Sequence, residues 1–200
     1  MLNDKFSTSL KAKGYFKIET LDKSGNVLDN FEEDNLIMNL ARQNMCELIA
    51  GVAVGAPINK FVLGTGGHQG AGTGSENVLI PVALDDPTRT NLFAEELSLY
   101  TYPIGFEGTG DATGGRLVTS EPTTKDPLDP STYSTVTISQ TGTNVEYVIY
   151  LPTGVANNTG TTAYTEAGFY CGSDLFNMKT FAAKVKNSSV SIRITWRISF

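Results

Sequence analysis

The clearest pattern of apolar and polar positions lies at residues 190–200. Val190, Ile192, Ile194, Trp196, Ile198 and Phe200 alternate strictly with Ser191, Arg193, Thr195, Arg197 and Ser199. Six apolar residues interleaved with five polar ones predict a β-strand with one buried face, because successive strand side chains point to opposite sides. Burying all six would contribute on the order of 10 kcal/mol before ordering entropy, at roughly 1.5–3 kcal/mol each. The same period recurs upstream. Residues 15–21 alternate, Asp22-Lys23-Ser24-Gly25-Asn26 is a turn cluster, and 27–33 form a second strand, so that the three read as a hairpin. Residues 59–63, 132–139, 145–151 and 163–171 read as further strands, the last interrupted by Gly168. For 92–102 a strand is preferred to a short helix.

One segment has the helical period instead. Ile37, Leu40, Ala41, Met45 and Leu48 fall on one stripe, predicting a helix over about 35–50. Asp34 or Asn35 is the expected N-cap and Gly51 the stop. Cys46 lies roughly opposite the stripe and is expected to be half-exposed. The fold class that follows is mainly β: an antiparallel sandwich or small barrel with one helix packed on it. Residues 1–13 are polar and read as an N-terminal arm with Phe6 and Leu10 as isolated anchors. Residues 14–200 then form a single domain. Its segment 103–131, with five Gly and four Pro, reads as an insertion loop too long for an ordinary connector.

Composition narrows the role. Charged residues make up only 18% of the 200, against about 25% in an average soluble protein. Such a surface suits either coverage by partners or a Thr/Ser/Asn/Gly-rich sheet. The net charge is −6, with 15 basic and 21 acidic residues, and no basic stripe suggests nucleic-acid readout. No segment has the apolar length of a membrane-spanning helix, and 1–14 lack a signal-peptide core, so an unsecreted protein is expected. Cys46 and Cys171 do not make a disulfide framework and are expected to be reduced.

Candidate chemistry is sparse. His68 is the single histidine, which rules out a multi-histidine metal site. Its loop, beginning Gly64-Thr65-Gly66-Gly67, lacks the Lys-Ser/Thr of a P-loop and reads as a flexible connection. The acidic pairs at Glu32-Glu33-Asp34, Asp85-Asp86 and Glu95-Glu96 are neighbours in sequence, which on a strand places them on opposite faces. No catalytic residue, cofactor or metal site is assigned. Tyr100, Tyr102, Phe106 and Tyr133 are loop-proximal aromatics and, with Phe6 and Leu10, the candidate interaction residues. Gly168 beside Glu166 suggests a tightly packed inner strand, where a missing side chain admits another backbone and Glu166 bonds a neighbouring loop.

Several stretches taken in order resemble tailed-bacteriophage virion proteins of the tail, neck, baseplate or fibre-associated class. They are Asn35-Leu36-Ile37 with Leu48-Ile49-Ala50-Gly51, Phe61-Val62-Leu63-Gly64-Thr65-Gly66, Thr165-Glu166-Ala167-Gly168-Phe169-Tyr170, and the closing Ile194-Thr195-Trp196-Arg197-Ile198. The segment 103–131 departs from the pattern. The resemblance implies a β-rich unit in which Gly64, Gly66, Glu166, Gly168 and Trp196 are structural. It also implies a non-enzymatic subunit, made in the cytoplasm of the infected bacterium, that joins copies of itself and other virion proteins in the particle. The alternative is a host-recognition or carbohydrate-binding module on a fibre or capsid surface that takes a host glycan. A particle-borne glycan hydrolase is a third, disfavoured by the missing nucleophile and histidines.

Overall fold

The structure is a computed structural model that describes residues 12–51, 58–68, 81–102, 115–118, 134–158 and 163–200. Ten strands and one helix follow one another: β1 (Lys13–Leu21), β2 (Val27–Ile37), α1 (Asn39–Ile49), β3 (Lys60–Gly64), β4 (Glu95–Tyr102), β5 (Gly115–Val118), β6 (Ser134–Thr141), β7 (Asn144–Leu151), β8 (Tyr164–Cys171), β9 (Asp174–Lys184) and β10 (Ser191–Ser199). All strand pairs are antiparallel. They form one sheet that curls into a barrel in the order β1-β10-β7-β6-β5-β4-β3-β8-β9-β2, with β2 returning to β1. The mainly β class, with a single helix among the described residues, is therefore observed, as a barrel rather than two separate sheets.

The alternation of β10 sets the interior. Ile192, Ile194, Trp196 and Ile198 are buried and meet Phe16 and Ile18 of β1 and Ile149 and Leu151 of β7. The Trp196 ring lies 4.7 Å from that of Phe16 and 5.0 Å from that of Phe169. On the outer face the same registers place opposite charges across from one another: Glu19 pairs with Arg193 and Glu146 with Arg197. Val190 and Phe200 lie outside the strand, and Phe200 is 46% exposed, so four rather than six apolar residues of this segment enter the core.

The first hairpin is closed by its turn chemistry. Asp22 Oδ1 accepts the N–H groups of Ser24 and Asn26, each at 2.8 Å, and Gly25 adopts φ +84°. β1 begins at Lys13, so the arm boundary lies before it.

The helix is shorter than its apolar stripe predicts. Asp34 and Asn35 belong to β2 rather than capping α1, and Ile37 is a strand residue. Tertiary pairing decides this: Leu36 and Ile37 bond to Met178 and Asn177 of β9, the short contact that closes the barrel. Met38 becomes the N-cap with no side-chain cap, its N–H bonding Phe176 O at 3.0 Å. Gly51, at φ +68°, ends the helix as expected. Ala41 and Met45 join the interior cluster, whereas Leu48 is 48% exposed and leaves the predicted stripe. Cys46 is exposed, Cys171 is buried, and both are free thiols.

Two strands have no counterpart in the sequence reading. β5 lies within 103–131 and pairs with β4 and β6, so that segment is not wholly a loop; its other residues lie outside those described. β9 escapes a period-two reading because both its faces are covered. Phe176 and Phe181 enter the interior, while Leu175 and Met178 join Met38, Val62, Leu92 and Tyr170 in a second cluster. Irregular register against β8 breaks the alternation further.

Trp196→Ala is expected to cost about 3–5 kcal/mol in denaturant unfolding, the usual penalty for emptying a buried aromatic site. Arg197→Ala, on the outer face of the same strand, is expected to cost less than about 1 kcal/mol. Equal losses would contradict the inside–outside assignment of β10.

Candidate functional site

The most constrained polar cluster joins the turn after β3, the middle of β8 and the segment before β4. β3 and β8 are direct neighbours, with Val62 opposite Gly168, Leu63 opposite Ala167 and Gly64 opposite Glu166. Every residue of β8 is buried. Strand alternation turns Ala167 and Phe169 into the barrel and leaves Glu166, Gly168 and Tyr170 on the other face.

Glu166 is fully buried and accepts three backbone N–H groups. Ala94 donates to Oε1 at 2.7 Å, Gly66 to Oε1 at 3.0 Å and Phe93 to Oε2 at 2.9 Å. Backbone donors replace the water that a buried carboxylate otherwise needs. Neighbouring bonds extend the seam. Thr65 N–H reaches Ala94 O at 2.9 Å, and Gly67 N–H reaches Thr165 Oγ1 at 2.9 Å.

Glycine is required here for space. A Cβ on Gly64 would lie 2.4 Å from Ala94 O, one on Gly66 2.7 Å from Ala94 N, and one on Gly67 2.4 Å from Thr165 O. One on Gly168 would lie 2.9 Å from Asn177 O and 3.0 Å from side-chain carbons of Leu175 and Leu92. The Gly-rich turn is thus held against two backbones through Gly67 and His68, rather than being a flexible connection. His68 is buried, and its Nε2–H donates to Phe181 O at 3.0 Å.

Tyr170 completes the outer side. Its hydroxyl donates to Glu95 and accepts Leu92 N–H at 3.2 Å, and Lys60 Nζ lies 4.1 Å from its ring centre. Burial and the Glu95 carboxylate raise the phenol well above its ordinary pKa. The thiol of Cys171 is likewise pushed up to about 12, chiefly by burial, which suits an inert core thiol rather than a nucleophile.

A second buried ionic group has no signature in the sequence. Lys186 is fully buried, and its Nζ donates to Pro152 O at 2.8 Å, Asn157 Oδ1 at 3.2 Å and Asn187 O at 3.4 Å. Burial lowers its pKa to about 8. Its backbone also pairs with Asn158, so this lysine fastens the loop after β7 to the end of β9.

The candidate interaction residues are not brought together by the described structure. Tyr100 and Tyr102 lie on β4, Tyr100 opposite Lys60 and Val118, and Tyr102 opposite Arg116. Phe6, Leu10, Phe106 and Tyr133 lie outside the described residues. Among the described residues no cluster of His, Cys, Asp and Glu could hold a metal ion, and no helix is long and apolar enough to cross a membrane. The polar groups that are brought together act on the backbone: Glu166, Thr165 and His68 each hold a main-chain group. Compared with protein-family models, curated proteins and solved structures, the chain matches none.

Glu166→Ala leaves three buried N–H groups without an acceptor and is expected to cost at least about 3 kcal/mol. Gly168→Val is expected to cost about 1–3 kcal/mol or more through overpacking. Unchanged melting temperatures for both variants would show that the seam carries no stability.

Lys186 carries a pH signature. Its folded pKa of about 8 lies below its ordinary 10.5, so between these values the unfolded chain holds more protons. Stability from this group therefore rises with pH across that window, by roughly 1–3 kcal/mol. Cys171 acts in the opposite sense above pH 9, because its folded pKa is raised. Denaturation of wild type and Lys186→Met at several pH values separates the two. The difference between the proteins is expected to change between pH 8 and 10.5 and to be constant below 8.

Proposed function

We propose that this chain is a non-enzymatic structural component of a tailed-phage particle, in the tail, neck or baseplate, that assembles in multiple copies through protein–protein contacts. The observation that carries the reading is spatial. Phe61–Gly66 and Thr165–Tyr170, which carry the resemblance and lie about a hundred residues apart, are adjacent strands joined through one buried carboxylate. The closing stretch Ile194–Ile198 supplies the interior of the same barrel. The resemblance thus falls on residues that hold a scaffold together, and the polar ones among them are engaged by main-chain groups. A barrel stabilised in this way supports a role in bearing neighbours better than one in transforming a substrate.

The reading also places the chain in the virion, made in the infected bacterium's cytoplasm, with other copies and other virion proteins as partners. Peptide mass spectrometry of purified particles, joined to imaging of the intact particle, tests it. The expected result is several copies per particle in a symmetric ring or collar. Absence from purified particles, with the chain remaining in the host lysate, overturns it.

A further inference from the structure

β2 and β9 are each eleven residues long, yet they pair only at Leu36–Met178 and Ile37–Asn177. Beyond those pairs the two strands part. β2 follows β1 as far as Val27, while β9 follows β8 through a bulge in which Thr165 alone spans residues 181–183. The space between them is a slot of about 530 Å³, lined by Phe31 and Glu33 on one side, Lys179 and Thr180 on the other, and residues 81–84. Side chains bridge the slot in place of a ladder. Lys179 Nζ donates to Asp34 O at 2.9 Å and meets Glu33 Oε2 at 2.6 Å, and Lys184 pairs with Asp29.

β2 also gives little to the interior. Residues 27–30 and 32–34 are exposed, Phe31 is half-buried, and Ile37 is the one β2 residue in the buried interior cluster. The neighbouring seam of β1 and β10 is backed instead by Phe16, Ile18, Ile194 and Trp196, all fully buried. Segments with few buried apolar contacts open at free energies below that of global unfolding.

We propose that the β2–β9 seam is a gate: β2, still paired to β1, swings away from β9 in a local opening that leaves the rest of the barrel closed. The motion breaks the two backbone pairs and parts Lys179 and Lys184 from their carboxylates. It opens the slot inward to the stacked rings of Phe16 and Phe181. The open state presents two free strand edges, the form in which a sheet takes an added strand. This inference concerns the isolated chain and stands apart from the virion reading.

The Met38 amide reports on the gate, because its N–H bonds Phe176 O at 3.0 Å, next to the last pair of the seam. Antiparallel alternation gives Leu36–Met178 the same hydrogen-bonded form, so the Met178 amide faces the same seam. Native-state hydrogen exchange of the full chain is followed by NMR in increasing, sub-denaturing urea. The Met38 amide is expected to exchange at least about tenfold faster than those of Ile194 and Trp196, with a shallower dependence on urea, because a local opening exposes little surface. In the variant Leu36→Cys/Met178→Cys, oxidised to staple two register partners, Met38 is expected to slow to the rate of the β10 amides. Equal rates and equal urea dependence for Met38 and β10 in the native chain overturn the proposal. So does fast Met38 exchange that the staple leaves unchanged, which assigns the motion to fraying of α1. If the staple does not form or the variant does not fold, the native Met178 amide decides. Exchange at the Met38 rate with the same urea dependence supports the gate, and protection equal to that of β10 overturns it.

Discussion

A carboxylate with no access to water organises the centre of this protein. Glu166 sits on a strand whose every residue is buried, and three main-chain N–H groups from two separate segments converge on it. A buried carboxylate is tolerated only when such donors surround it, and the donors are held only if the carboxylate stays. The turn after β3 and the lead-in to β4 are therefore fixed by the same group. The glycines follow from this constraint. The backbones approach so closely around Glu166 and Thr165 that a Cβ at Gly64, Gly66 or Gly67 would overlap main-chain atoms.

Around that seam the barrel carries two apolar layers. The inner one gathers Phe16, Phe61, Phe169, Phe181 and Trp196 with the branched residues of β7 and β10. The outer one, Met38, Val62, Leu92, Tyr170, Leu175 and Met178, lies over β3, β8 and β9. These three strands are thus covered on both faces, whereas β1 and β10 carry ion pairs on their outer face, Lys17–Glu19 within β1 and Glu19–Arg193 across the two strands. The closure between β2 and β9 is short, two residue pairs only. Lys179 and Lys184 of β9 reach across to Glu33 and Asp29 of β2 beyond it. The lysines of these pairs are largely buried while their carboxylates meet solvent, so the pairs add to a closure whose main apolar contribution comes from the interior rings.

Several titratable groups fasten separate segments: buried His68 and Lys186, and the pair of exposed Glu95 with buried Tyr170. His68 ties the Gly-rich turn to β9, and Lys186 ties the loop after β7 to the residues following β9. Glu95 and Tyr170 join the start of β4 to β8. Glu166, His68 and Lys186 are thus turned inward onto the chain's own backbone. Among the described residues, Leu48, Ile49 and Phe200 are exposed apolar side chains near α1 and the end of β10.

The strands with one wet face were legible in the sequence, because a period of two survives only where one side meets water. β10, β7 and β1 are of this type, and the Asp22–Asn26 turn announced itself through its side chains. Gly51 marked the helix end for a similarly local reason. The proximity of Glu166 and Gly168 pointed to close packing, but the donors at Gly66, Phe93 and Ala94 lie 72 to 100 residues away, and no local pattern connects them. Tertiary structure decided the rest. It extended β2 through Asp34 and Asn35 because pairing with β9 outweighs a helix cap, and it buried both faces of β9, which erased the alternation. It also enclosed Lys186, a residue indistinguishable in sequence from a surface lysine. Local patterns encode which side of a strand meets solvent, whereas closure of the barrel determines which distant backbones meet and which polar groups must satisfy them.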